Sequence, residues 1–405
     1  MKFYAEAYGC TMNRGETRML AESWEQDGHE RVTDPEDADT ALIGTCVVIR
    51  KTEERMKRRI EEFDEICDDV VVTGCITTAR KKELKKICPD CEIIEPDQIE
   101  ISSSLDNIQG VERGITGMIP IATGCTGNCH YCITKIARGG LKSRPIDKIA
   151  KRFKSLLTNG YKEIQITCQD TASYGRDIGA SLPKLLNRLS EFEGDHRIRV
   201  GMMNPDTALE NLDEIIKSID DENIYKFLHL PLQSGSDRVL KNMNRRYSVE
   251  GWGDVVKAFR DRFPDMTLST DVILGYPGET EEDYKLTKNI IEKIKPDILN
   301  ITRFSARPGT KAYGMKEKVH SREKKKRSKE ISAVHRRISY EKNRQYVGED
   351  LETLILERGK DDTMKGRTND YKMVVIRNSS RDDIGSWRTV NIDSHGEVYI
   401  KGNTV

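Results

Sequence analysis

The chain is 405 residues long, and its 67 lysines and arginines are matched by 67 aspartates and glutamates, so net charge singles out no partner. With 33% charged residues and a mean hydropathy of −0.64, it contains no apolar run near the length of a membrane-crossing helix, which excludes a helical membrane protein. Ten cysteines at irregular spacing do not read as a disulfide framework; they suit a reducing cytoplasm and metal or cluster ligation.

The length predicts two or three domains. The opening MKFYAEAYGC reads as a strand and not as a signal peptide. Across residues 1–110, short apolar runs alternate with charged helical stretches, the pattern of an open parallel α/β domain. Strands are predicted over Lys2–Tyr8, Thr40–Ile43 and Val70–Thr73, with helices over Asn13–Gln26, Lys51–Phe63 and on through Lys86. Each strand stops just before a cysteine: Cys10, Cys46 and Cys75. Ligands of open parallel sheets bind at that edge, so the three thiols make a candidate three-ligand site despite their separation in sequence. The plain alternative is that each is a small buried hydrophobe. Cys67, Cys88 and Cys91 fall in helical or loop contexts and carry no assignment.

Residues 111–335 repeat a strand-then-helix unit. Six strands (Ile119–Ala122, Glu163–Thr167, Arg197–Met202, Lys226–Pro231, Thr267–Leu274 and Asp297–Thr302) alternate with helices near Asp147–Thr158, Leu182–Phe192, Leu209–Ile219, Val249–Arg262 and Glu281–Ile294. This predicts a partial (β/α)6 barrel, open on one side, whose chemistry sits at the carboxyl ends of its strands. After the first strand comes GCTGNCHYC, in which Cys125, Cys129 and Cys132 follow C-x3-C-x2-C spacing. Three thiolates hold three irons of a cubane and leave the fourth open to a small molecule. The alternatives are reduced cysteines or a zinc site, which wants four ligands; His130 is a fourth donor only in principle, since its neighbours crowd it.

Polar residues recur at the later strand ends: Gln169-Asp170, Asn204, Gln233-Ser234-Gly235-Ser236, Asp271 to Gly278, and Arg303. Asn204 also reads as a helix cap and Ser234-Gly235-Ser236 as a turn. From Arg307 to Arg344 the sequence holds 14 Lys/Arg against 4 Asp/Glu. Lys324, Lys325, Lys326 and Arg327 are its densest part, read either as a solvated linker helix or as phosphate-neutralising charge. Residues 336–405 read as a small β-barrel with strands Leu351–Glu357, Lys372–Ile376, Thr389–Ile392 and Glu397–Ile400. Arg367, Asn369 and Tyr371 are its candidates for RNA stacking and phosphate contact, with a core position the alternative for Tyr371.

GCTGNCHYCITKIARG resembles the radical S-adenosylmethionine signature as written in the methylthiotransferase family, including Tyr131 before the last cysteine and Arg138-Gly139 after it. YGCTMN, GTCVVIRKTEERMKRRI and TGC resemble the segments of that family's N-terminal domain that ligate an auxiliary 4Fe–4S cluster. The one departure is Gly44, where Asn usually precedes Thr-Cys. ITCQDTASYG, RVGMMNP, LPLQSGSDRVL, DVILGYPGET and TRFSARPGT resemble its post-strand segments, with Cys168 where glycine is commoner. GEDLETLILERGKDDTMKGRTNDYKMVVI resembles a TRAM domain.

The resemblance implies two [4Fe–4S] clusters, one on Cys10, Cys46 and Cys75 and one on Cys125, Cys129 and Cys132, and two molecules of S-adenosylmethionine per turnover. One gives its methyl to sulfur at the auxiliary cluster; the other chelates the open iron and yields a 5′-deoxyadenosyl radical. It places Tyr131, Gln169, Gln233 and Ser234 along S-adenosylmethionine, Ile273 to Gly275 at its adenine, and Asp170 and Arg303 at its methionine end or at substrate. The wording is closest to the archaeal and eukaryotic branch, which converts N6-threonylcarbamoyladenosine beside the tRNA anticodon to its 2-methylthio derivative. Rival readings are a relative acting on isopentenyladenosine or a ribosomal protein, and an iron–sulfur RNA-binding redox sensor without turnover. The expected setting is cytoplasmic and away from membranes: a monomer that meets tRNA, an electron donor and a sulfur donor.

Overall fold

The computed structural model describes residues 1–100 and 114–405. The boundary expected between residues 110 and 111 lies outside the described residues. The first unit is a five-stranded, wholly parallel sheet in the spatial order Glu30–Arg31, Lys2–Ala7, Thr40–Thr45, Asp69–Gly74, Glu92–Ile94. Its central strand, TALIGT, is buried throughout, as expected for a strand covered by helices on both faces. Numbered along the chain the order is 2-1-3-4-5, in which the strand order reverses between Lys2–Ala7 and Thr40–Thr45.

The second unit carries six parallel strands in two halves. Thr116–Pro120, Glu163–Thr167 and Arg197–Val200 form one; Phe227–His229, Thr267–Leu274 and Ile298–Arg303 form the other. The halves meet at the bridge between Ile198 and Ile224, and the Met203 amide donates to the His229 carbonyl at 3.0 Å across the same seam. Helices alternate with the strands; the helix expected over Leu209–Ile219 after the third strand runs over Leu212–Ile219 and is preceded by a separate short helix, Pro205–Leu209. Helix Glu281–Ile294 starts where Thr280 and Asp283 cap each other's backbone N–H groups. Both outer strands of this partial barrel are covered. Helix Thr11–Gln26 lies on Thr116–Pro120, where Arg18 donates to the Thr116 carbonyl at 3.1 Å. Buried ion pairs Glu16–Arg138 and Glu22–Arg152 hold the same helix to the barrel. On the other edge lies helix Ser321–Arg344, which contacts Ile298–Arg303.

The third unit is a closed five-stranded barrel of Asp350–Arg358, Met364–Thr368, Met373–Arg377, Ile400–Thr404 and Trp387–His395. Two expectations are corrected here. Met364–Thr368, unmarked in the sequence because MKGRT looks polar, is a strand whose Met364, Gly366 and Thr368 alternate inward. The final strand is Ile400–Thr404 and not Glu397–Ile400, because Gly396 to Tyr399 closes a turn. This barrel docks against the amino ends of the central strands. Asn369 accepts from Arg197 at 3.0 Å, Tyr371 packs on Tyr225 and Phe227, and Asp297 meets Lys372 and Lys342 at 3.0 and 2.7 Å.

Candidate functional site

The cysteine loop after the first barrel strand owes its curl to Gly124, which sits at φ +76°, where a Cβ would stand 1.8 Å from the Gly140 carbonyl oxygen. The loop is pinned by Lys135, which donates to the Cys125 carbonyl at 2.5 Å, and by the Cys132 amide, which donates to the Cys129 carbonyl at 3.1 Å. Two donors already point at sulfur: the Gly127 amide at Cys125 Sγ, 3.2 Å, and the buried Arg245 guanidinium at Cys129 Sγ, 3.4 Å. Burial pushes the Cys125 thiol up to about 11 and raises Cys129, which Arg245 partly offsets. Such thiols ionise readily only when a cation or metal centre arrives. His130 is turned away, its Nδ1 2.9 Å from the Asn242 carbonyl, so it is no fourth donor.

Cys10, Cys46 and Cys75 end the three adjacent strands on either side of the sheet's reversal point and next to it, where the topology opens a crevice. Burial pushes Cys46 up to about 11, with Cys75 and Cys10 adding to the shift, so the three sulfurs feel one another. Asn13 braces the crevice: its amide donates to the Thr45 carbonyl at 2.7 Å, and its oxygen lies 3.9 Å from Cys75 Sγ. Gly44 is explained by packing, because a Cβ there would stand 1.9 Å from Thr17 Oγ1. Arg138, from just beyond the other cysteine loop, sends Nε to Cys75 Sγ at 3.4 Å and grips Glu16 through both terminal nitrogens at 2.6 and 2.7 Å. Among the described residues no three His, Cys, Asp or Glu side chains gather tightly enough to cage a single metal ion. Two open thiol trios suit the larger cubane better than zinc.

A cavity of about 410 Å³ is lined by Cys132 of the loop trio and reaches the residues just after Cys46 of the other trio. Val48 and Ile49, just after Cys46, form one wall, and Tyr131 and Cys132 form another. The carboxyl ends of the last three strands close it with Gln233, Ile273, Arg303 and Arg307. Two buried polar atoms that line this space lack a protein partner, Gln233 Oε1 and Arg307 Nε, and Gln169 Oε1 and Arg245 Nε are likewise unpartnered outside its lining. Unsatisfied polar atoms on this scale mark a place built for a polar guest. Gln233 is held there at φ +64°, with its backbone pinned between Asp271 and Ile273.

The expected cofactor residues separate on inspection. Tyr131, Gln233, Ile273 and Arg303 line the cavity, whereas Gln169 is not part of its lining and donates to Met12 Sδ. Asp170 does not face it. Wholly buried, it accepts from the Asn204 amide and the Thr207 hydroxyl at 2.9 and 2.8 Å, and burial raises its pKa. Ser234 is likewise turned inward, accepting from the Ser236 amide at 3.3 Å, and the Gly275 amide is taken by Glu279 at 2.9 Å. Cys168 is buried close to Cys125, and burial raises its thiol well above the usual range.

The expected RNA contacts also divide. Arg327 is buried and bonded to Glu279, Glu281 and Glu323 at 2.5, 3.3 and 3.3 Å, so it is structural. Lys324 turns in to the Phe304 carbonyl at 3.0 Å, leaving Lys325 and Lys326 exposed. Tyr371 is buried between Tyr225 and Phe227, with Arg367 stacked on its ring at 4.3 Å, and Asn369 is engaged with Arg197. Asn369 and Tyr371 hold the small barrel in place, with Arg367 backing the Tyr371 ring, because the barrel's turn meets the central unit. The sequence reading gave Arg138 only as part of the resembling signature and assigned no role to Arg245 or Arg307. Arg307 is buried against Glu53 and close to Cys46; the only sequence signal for it was its place in TRFSARPGT, and Arg245 had none.

Comparison with known proteins matches residues 2–95 to the uncharacterized protein family UPF0004, residues 119–290 to the radical SAM superfamily and residues 344–402 to the TRAM domain. A probable threonylcarbamoyladenosine tRNA methylthiotransferase of Methanocaldococcus jannaschii is 38% identical over 100% of this chain and 97% of its own length. The threonylcarbamoyladenosine tRNA methylthiotransferase of Xenopus laevis is 33% identical over 100% of this chain and 77% of its own. Among solved structures, the radical S-adenosylmethionine methyltransferase TsrM from Kitasatospora setae, with cobalamin and a [4Fe–4S] cluster bound, superposes with a TM-score of 0.57. At 13% identity over 90% of this chain and 80% of that one, it shares the fold. Full-length identity to relatives from archaea and vertebrates, on the three-part architecture described above, decides the matter: the chain belongs to the threonylcarbamoyladenosine tRNA methylthiotransferase family of radical SAM enzymes.

Proposed function

We infer that this protein converts N6-threonylcarbamoyladenosine in tRNA to its 2-methylthio derivative. The observation that carries the reading is one cavity lined both by Cys132 and by Val48 and Ile49, which follow Cys46. When bound, the two clusters and S-adenosylmethionine supply the electron, the radical and the sulfur needed to replace an aromatic C–H with C–SCH3; no acid–base side chain can deprotonate such a carbon. Cys125, Cys129 and Cys132 hold one cluster and Cys10, Cys46 and Cys75 the other. Gln233 and Tyr131 are placed to orient the S-adenosylmethionine, and Gln169 offers a further free acceptor. Val48, Ile49 and Phe304 give the cavity an apolar lining, and Arg303 at its rim offers a guanidinium to the carboxylate of the modified base. A soluble tRNA substrate fits a chain with no described helix long and apolar enough to cross a membrane. Reduced, reconstituted protein is to be incubated with S-adenosylmethionine and tRNA bearing the threonylcarbamoyl base, followed by nucleoside mass spectrometry. The reading requires the 2-methylthio product; formation of 5′-deoxyadenosine with the nucleoside unchanged overturns it.

A further inference from the structure

Helix Ser321–Arg344 holds ten Lys/Arg against three Glu. Three of the ten are spent inward: Lys324 on the Phe304 carbonyl, Arg327 on Glu279, and Lys342 on Asp297. The other seven are exposed. Arg322, Lys325, Lys326 and Lys329 occupy the first half of the helix, and Arg336, Arg337 and Arg344 the second. At about 100° per residue these seven fall within roughly one third of the circumference, and they extend over about 33 Å of axis. The three glutamates lie to the side of that sector. Exposed pairs between the stripe and acids are long, 3.8 Å for Lys326–Glu323, 3.8 Å for Arg336–Glu397 and 3.6 Å for Arg337–Glu292, so they neutralise little. Tyr340, half exposed, stands in the same sector with its ring 4.3 Å from His395 of the small barrel.

The ends of the helix fix its direction. Near its start, Lys324 touches Phe304, which lines the cavity. Near its end, Asn343 donates to the Gly396 carbonyl of the small barrel at 2.9 Å. The small barrel sits at the amino ends of the central strands and the cavity at their carboxyl ends, so this helix spans the whole wall between them.

We propose that the exposed face of helix Ser321–Arg344 is a track for the tRNA phosphate backbone, carrying the RNA from the small C-terminal barrel to the mouth of the cavity. The proposal rests on tRNA being the substrate. It moves the RNA surface away from Arg367, Asn369 and Tyr371, which the fold consumes, and onto cations it leaves unused. Contacts of this kind read no sequence and weaken with salt.

The test is the affinity of the full-length protein for threonylcarbamoyl-bearing tRNA, measured from about 50 to about 200 mM salt. The five-site variant K325Q/K326Q/K329Q/R336Q/R337Q is expected to bind at least about tenfold more weakly at about 150 mM salt, with a log–log salt slope shallower by roughly 3 to 4. The partial variants K325Q/K326Q/K329Q and R336Q/R337Q divide that change and serve if the five-site protein does not fold. A control that removes three exposed cations elsewhere, K148Q/K151Q/K154Q on the barrel's outer helix, is expected to change affinity less than about twofold. Parent-like affinity and slope in the stripe variants, or an equal loss in the control, overturns the track. A parent protein that binds tRNA through the stripe but forms no methylthio product refutes the reaction and leaves the track standing.

Discussion

Cys125, Cys129 and Cys132 lie in one loop of eight residues, whereas Cys10, Cys46 and Cys75 come from three loops that meet only because neighbouring parallel strands end together. The first trio is fixed by local backbone: Gly124, the Gly127 amide and Lys135. The second is fixed by sheet topology and by a side chain borrowed from elsewhere, since Arg138 follows the first trio in sequence but bonds to Cys75 of the second. Each trio therefore has one buried arginine on a sulfur, Arg245 for Cys129 and Arg138 for Cys75. The two differ in what else the arginine holds. Arg138 is locked to Glu16 and staples two domains together, whereas Arg245 stays within its own barrel, donating to Asn204 at 2.8 Å and stacking on Tyr131 and Tyr247. Disturbing the local trio should alter chemistry alone; disturbing the assembled trio should alter chemistry and domain docking together.

The largest contrast lies between Cys132→Ala and Cys75→Ala. Both are expected to abolish the methylthio product and to lower iron from about eight to about four per chain. Only Cys132→Ala should also abolish 5′-deoxyadenosine formation, as read by chromatography of the reaction mixture. Next comes Arg138→Gln, which leaves Glu16 buried and unpaired. A loss of about 3 to 5 kcal/mol is expected from urea unfolding, with iron lost from the first domain.

Asp297 gives a smaller, pH-dependent effect at the opposite end of the barrel. Burial raises its carboxyl, but Lys372 and Lys342 outweigh burial and hold it below the usual carboxylate range. A group with a depressed folded pKa contributes its full stability above the unfolded value near 3.9, and loses it as pH falls through the folded value. Docking of the small barrel should therefore weaken only below about pH 4 in the parent, and Asp297→Asn should show that weakening already at neutral pH, as monitored by limited proteolysis between the two units. The mildest change is Arg245→Gln. It removes a positive charge and a hydrogen bond from Cys129, so the cluster's reduction potential is expected to become more negative in a spectroscopic titration while unfolding shifts little.

Much of this was legible in the sequence, for physical reasons that differ by region. The strand-helix alternation and the C-x3-C-x2-C loop are local patterns, and the structure has the elements they predict, with strand ends moved by a few residues. Cys10, Cys46 and Cys75 stood out as candidates because a strand's carboxyl end is itself a local feature. Strand Met364–Thr368 was missed because only Met364 of its inward face is a large apolar residue; Gly366 and Thr368 complete that face, and Gly366 lies so close to Thr353 that a Cβ would stand 2.5 Å from it. Asp170 and Ser234 were expected at the cofactor and Tyr371 at RNA; each is polar at a strand end or turn, and only tertiary packing tells a lining group from a brace. Arg245 carried no sequence signal, because nothing local distinguishes a buried arginine that reaches a distant sulfur from an exposed one.

The central claim is that two separate thiol trios open onto one cavity. Electron paramagnetic resonance of the fully reduced, reconstituted parent protein, set beside Cys75→Ala and Cys132→Ala, tests it directly. Two clusters facing one space should couple, so the parent spectrum should differ from the sum of the two single-cluster spectra and accompany about eight irons per chain. A parent spectrum equal to that sum, or a yield of about four irons, would contradict the claim.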